Sequence, residues 1–107
     1  MRNTILLVVF SLVVAISVVV ASVSQRHSYL PPKGFAPDEQ TAMKIAEAVW
    51  SPIYGEENIK SEKPFVASLK NGVWTVHGSL PKGWVGGVAE AEISKSDGRI
   101  LRVSHGQ

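Results

Sequence analysis

Residues 81–92 read PKGWVGGVAEAE and place three glycines, a tryptophan and two glutamates in one short stretch. Crowded glycines serve phosphate binding when they lead from a strand into a helix N-terminus, where backbone N–H groups converge on the anion. Neither GxxxxGK[ST] nor GxGxxG occurs, and the residues that follow alternate as a strand does, so a phosphate cradle is not expected. The histidines are His27, His77 and His105, and none has the HxxxH or HExxH spacing that sets two metal ligands on one helix face. No GxSxG elbow is present for a serine nucleophile, and the chain has no cysteine. Glu56 and Glu57 are paired acids without a third partner, the pattern of a solvated face. His77 with an acid across a sheet could act as a general base, although a histidine on a half-polar strand is more often structural. No catalytic, cofactor-binding or metal-ligating residue is expected, and no small-molecule substrate.

The role of the glutamates follows from the strand that carries them. In VAEAEISKSDGRILRVSH, a two-residue Asp97-Gly98 turn would set Ile93 opposite Arg102 and mix the faces. A three-residue loop, Ser96 to Gly98, pairs Lys95 with Arg99 instead. Ile93 then meets Leu101, Ala91 meets Val103, and Glu92 meets Arg102 as a cross-strand ion pair. Glu90 and Glu92 fall on the outward face. The preceding glycines lie at the strand entrance, where Gly86 and Gly87 permit a bend or a close approach to the helix. Trp84, at the same entrance, fits a plug at the open end of the core better than an exposed contact.

A second hairpin precedes it. Asn71-Gly72 is a strong type I′ signal, because both central residues need positive φ. Pairing Lys70 with Val73 puts Leu69 opposite Trp74, Ala67 opposite Val76 and Phe65 opposite Gly78, all on one side. That face is apolar and the other is mixed, as in a sheet covered on one side. Gly78 would leave space for the Phe65 ring or mark a bulge.

One helix must cover the apolar face. It begins at Asp38, which can accept first-turn N–H groups, and Glu39 complements the positive end of the dipole. Ala42, Ile45, Ala46, Val49, Trp50 and Ile53 form the buried stripe. Pro52 is expected to break or kink the helix near Trp50, and Gly55 to cap it with positive φ. Residues 56–64 read as a connection with at most one helical turn.

The N-terminus has another character. Residues 5–23 carry no charge and approach the roughly 20 residues that span a bilayer as a helix. Residues 1–24 are therefore a membrane anchor or a signal segment, the length favouring a retained anchor over a cleaved signal. The leading Arg2 and short tail are signal-like, which places the remainder outside the cytoplasmic membrane. The expected address is the cell envelope: anchored in the inner membrane facing the periplasm, or periplasmic or secreted if the segment is cleaved. Residues 25–37, with Pro31, Pro32 and Pro37, read as a semi-rigid tether. Residues 38–107 form the folded domain. Eleven Lys and Arg against nine Asp and Glu, with no basic block among aromatics, give no nucleic-acid footprint.

In combination, PDEQTAMKIAEA, PIYGEE, NGVWTV, LPKGWVGG and the closing SHG resemble bacterial immunity proteins with a nuclear-transport-factor-2-type fold. The resemblance spans about residues 35–106. It implies an α+β domain, one helix on a curved antiparallel sheet of about four strands, a reduced cone close to a cystatin-like grip. It also implies a role in polymorphic toxin systems: binding and neutralising a cognate toxin protein without chemistry. The expected contact is the polar side of the sheet and its rim, with Glu90, Glu92, Arg102, Lys82 and Trp84. The alternatives are an envelope module inhibiting a protease or cell-wall hydrolase, and a small cone-fold enzyme.

Overall fold

A computed structural model describes residues 26–107. The apolar segment over residues 5–23, and with it the choice between anchor and signal, lies outside the described residues. Among the described residues no helix is long and apolar enough to cross a membrane. The elements are α1 (Glu39–Tyr54), α2 (Glu56–Lys60), β1 (Val66–Lys70), β2 (Val73–His77), β3 (Ala89–Ser94) and β4 (Ile100–His105). The strands form one antiparallel sheet in the order β1-β2-β3-β4, and α1 packs on one face of it. The α+β architecture is the one the sequence leads to.

Asp38 caps α1 as its side chain suggests, its Oδ1 accepting the Thr41 N–H at 2.8 Å. That bond holds the carboxyl below its ordinary 3.8. The helix does not stop at Trp50 but runs through Pro52 to Tyr54. Proline sits in the last turn, where its missing N–H frees a carbonyl close to the helix end. Ser51 Oγ donates to the Glu47 carbonyl at 2.8 Å, and the Gly55 N–H closes on Ser51 O at 2.9 Å, with Gly55 at φ 98°. Ala42, Ala46 and Trp50 are buried and Tyr54 packs beside them, while Ile53 is 58% exposed. The core row thus follows i, i+4 spacing, which drifts round the helix and leaves Ile53 outside.

Trp50 anchors this packing. Its ring meets Phe65 edge-on at 5.3 Å, and its Nε1–H donates to the Glu90 carbonyl at 3.3 Å. Phe65 turns toward Trp50; the space at Gly78 is taken by Glu62, whose Oε1 lies 2.6 Å from where a Cβ would stand. Trp74, Val76, Ala89, Ala91 and Ile93 complete the sheet side of the core, and Ile59 of α2 closes one flank. Burying a large apolar side chain contributes about 2 to 3 kcal/mol, so this short row supplies much of a small domain's stability.

The Asn71-Gly72 hairpin has the expected register, Lys70↔Val73 through Ala67↔Val76, with φ of 51° and 75° at its two turn residues. The second hairpin differs at its tip. Glu92↔Arg102 and Ala91↔Val103 are as expected, but Ile93 pairs with Ile100, and Leu101 bulges out of the ladder. Ser94 N–H bonds Arg99 O at 2.9 Å, closing a four-residue loop in place of the expected three. The cause lies upstream in the chain. Lys95 O accepts the Ala36 N–H, Ser96 O accepts the Phe35 N–H (both 3.0 Å), and the Lys95 N–H donates to Gly72 O at 2.9 Å. With its backbone groups engaged, Lys95 cannot pair with Arg99, and the extra residue becomes a bulge. Ala36 is itself buried, and its carbonyl accepts the Trp74 Nε1–H at 2.8 Å. The end of the proline-rich stretch is thereby packed against the sheet.

Candidate functional site

Strand alternation sends Glu90, Glu92, Arg102 and Ser104 to the face of the sheet opposite α1. Arg102 Nε donates to Glu92, Nη2 to Glu90, and Nη1 to Ser104 Oγ at 2.9 Å. The hydrogen bonds Arg102 donates to Glu92, and then to Glu90, raise the guanidinium above its ordinary value. This patch is assembled as the cross-strand pattern predicts, and its charges answer one another within the chain. His77, opposite Glu90 in the register, faces the Gly78 carbonyl through Nδ1 at 2.8 Å. Glu56 and Glu57 flank Lys60 on an exposed face, at 3.2 and 3.9 Å.

The end of the sheet away from both hairpin turns is built differently. There β2 leaves at His77, β3 enters at Ala89 and β4 finishes at His105. Glu62, only 7% exposed, ties these strand ends together. Its Oε1 accepts the Ala89 N–H at 2.7 Å, its Oε2 lies 2.9 Å from His105 Nε2, and its backbone carbonyl accepts the Ser79 N–H at 2.6 Å. His105 Nδ1 faces the Gly106 carbonyl at 2.7 Å, and the ring lies 5.0 Å from that of Tyr54. Both ring nitrogens thus face oxygen, and both can donate only in the imidazolium form. The Gly106 carbonyl first, and Glu62 second, push the His105 pKa above its ordinary 6.5.

The β2–β3 connection arches over this pair. Trp84 and Val85 stand out, 70% and 98% exposed, and Leu80 is exposed with them. Leu80, Pro81 and Trp84 share an open concavity with Tyr54, Asn58, Glu62 and His105. The arch is fastened at its feet: Gly78 N–H bonds Ala89 O at 2.9 Å, and Gly106 N–H bonds Val88 O at 3.2 Å. Gly87 approaches the Gly106 backbone so closely that a Cβ there would sit 2.1 Å from a carbonyl carbon. Gly87 therefore serves a close crossing with Gly106 and not with α1, while Gly86, at φ 144°, has open space around it. Trp84 is a surface residue and does not plug the core.

Of the five residues expected at a contact, Glu90, Glu92 and Arg102 come together on the sheet face. Trp84 belongs to the concavity at the sheet end, and Lys82 is exposed on the same arch. Among the described residues no group of three His, Cys, Asp or Glu side chains could hold a metal ion.

A family model described as NTF2 fold immunity protein matches residues 41–107. The chain belongs to that family. The match takes in both surfaces of this immunity-family domain but begins inside α1, so the Asp38 cap and the buried Ala36 stand ahead of it. The uncharacterized protein YhhH of Escherichia coli (strain K12) is 36% identical over 67 residues, which is 62% of this chain and 53% of YhhH. The chain spans about half the length of that relative. No solved structure matches.

The Glu62–His105 pair escaped the sequence reading. Glu62 sits in a charged connection, EENIKSEKP, where Glu56 and Glu57 draw attention first, and 43 positions separate it from His105. The signal available was the closing SHG, a histidine followed by glycine at the end of a strand.

Proposed function

We propose that this immunity-family chain neutralises a cognate bacterial toxin by binding it through a preformed surface, without chemistry of its own, on the extracytoplasmic side of the membrane. The family match over residues 41–107 carries this reading. The geometry supports a binding role. The Glu62–His105 pair, which a general-base mechanism would call on, has both imidazole nitrogens turned to oxygens of the chain itself. A base needs a free nitrogen within reach of a substrate proton. The apolar segment over residues 5–23 supports the extracytoplasmic address.

Growth under toxin expression tests the role. Cells producing each toxin domain encoded beside this chain's gene, with and without the full chain, are expected to recover against one toxin and not against unrelated ones. Recovery against none sinks the proposal. A C-terminal alkaline phosphatase fusion tests the address, since the enzyme is active only after export; an inactive fusion in cells that produce it rules the placement out.

A further inference from the structure

We infer that the β2–β3 arch, led by Trp84 and Val85 with Lys82 between them and Leu80, is the toxin-contacting surface, and that its partner is a protein cleft with apolar walls and carboxylates at the rim. This rests on the toxin-binding reading above.

Exposed apolar residues scattered singly need no explanation, whereas a contiguous group marks a contact. Leu80, Trp84 and Val85 lie within six positions of each other, and Leu80 and Trp84 line one concavity. Tryptophan is among the residues most enriched where interfaces concentrate their energy.

Preorganisation is the second argument. A contact loop that is already fixed loses less entropy on binding. Glu62 holds Ser79 and Ala89 at the two feet of this arch, and the Gly87–Gly106 crossing pins its exit. The tip carries no such ties beyond the Pro81–Trp84 turn, whose N–H bond is 3.0 Å. The base is rigid and the apolar tip is presented.

Charge names the partner. Between Leu80 and Val88 the sole ionisable side chain is Lys82, and among the described residues no acid forms an ion pair with it. A protruding apolar tip with one unanswered cation complements a concave apolar site edged by carboxylates. The sheet face offers the reverse, a cation already claimed by Glu90 and Glu92. Position agrees as well. Lys33 to Ala36 dock at the turn end of the sheet, Lys95 Nζ donating to Lys33 O at 2.6 Å, so the arch points away from the side where the chain enters.

The test uses the full chain and the toxin domain against which it protects in the growth assay. Trp84→Ala and Val85→Asp are each expected to abolish protection, with Trp84→Ala raising Kd roughly 30-fold or more. Lys82→Glu is expected to slow association about tenfold at low salt and far less at high salt. A photo-crosslinker at position 85 should trap the toxin, and one at position 75 on the opposite sheet face should not. Circular dichroism of each variant verifies the fold. Protection that survives both arch substitutions, or crosslinking at position 75 alone, overturns the arch as the surface and leaves toxin neutralisation standing. Lys82→Glu without effect overturns the carboxylate rim. A wild-type chain that protects against no toxin removes the underlying reading, and this surface with it.

Discussion

The outer sheet face and the arch end both present polar and apolar groups to solvent, yet they reach that state by opposite routes. On the sheet face, Arg102 is surrounded by Glu90, Glu92 and Ser104. Every charge there is solvated or answered, and alternation along β3 and β4 suffices to build the patch. At the arch end a carboxylate is buried and hydrophobes are exposed. Glu62 is withdrawn beneath Gly78 and paired with His105, while Trp84 and Val85 stand in water. Exposed charge costs little and says little about function. Exposed tryptophan above a buried carboxylate opposes the usual partition of residue types, and the opposition points to a use.

That contrast can be broken in steps. Replacing Glu62 by Ala should have the largest effect, about 3 kcal/mol of stability, because a buried charge partner and the acceptor for Ala89 N–H are lost together. Urea denaturation reads this as a lower midpoint with unchanged slope. A loss no greater than that of a surface substitution would mean Glu62 is not the tie it appears from its contacts.

The pH dependence follows from His105. Its folded pKa is raised above 6.5, so the folded state binds the proton more tightly than the unfolded chain. The stabilisation is complete below about pH 6.5 and is lost as pH rises through the higher folded value. Denaturation midpoints across pH 5 to 9 should fall in that window for the wild type. His105→Gln should flatten the fall, and an equal fall in that variant would assign the effect to other groups. The change should be smaller than that of Glu62→Ala, which also removes the Ala89 contact.

On the sheet face, Arg102→Ala is expected to cause a small loss of stability that salt erases, as exposed pairs do. A loss that persists in molar salt would mean the patch is a structural network comparable to the Glu62 pair. Smallest of all should be the stability change on Trp84→Ala, within about 0.5 kcal/mol. That null effect on folding, beside a large effect on binding, would sharpen the contrast most; a destabilisation of several kcal/mol would return Trp84 to the core.

Local rules settled much of this protein before any fold was known. Asn71-Gly72 fixes the register of its hairpin because only a few turns match the twist of paired strands. Asp38 starts α1 because its carboxylate reaches the Thr41 N–H three residues on. The Glu92–Arg102 pair follows from period-two alternation across a turn. Each of these depends on residues close in sequence. What tertiary structure alone decided involves partners far apart. Lys95 is drawn from its strand by Phe35 and Ala36, which shifts Ile93 onto Ile100 and ejects Leu101. Helix α1 survives Pro52 because the break falls in its last turn, against a packed Tyr54. Glu62 and His105 meet because α2 carries one to the strand end where β4 delivers the other. Trp84 is exposed because the β2–β3 connection carries it out past the sheet end, while Trp50, Phe65 and Tyr54 pack at the core. Packing allots a finite volume among side chains, and a single-residue preference cannot say which aromatic is left outside.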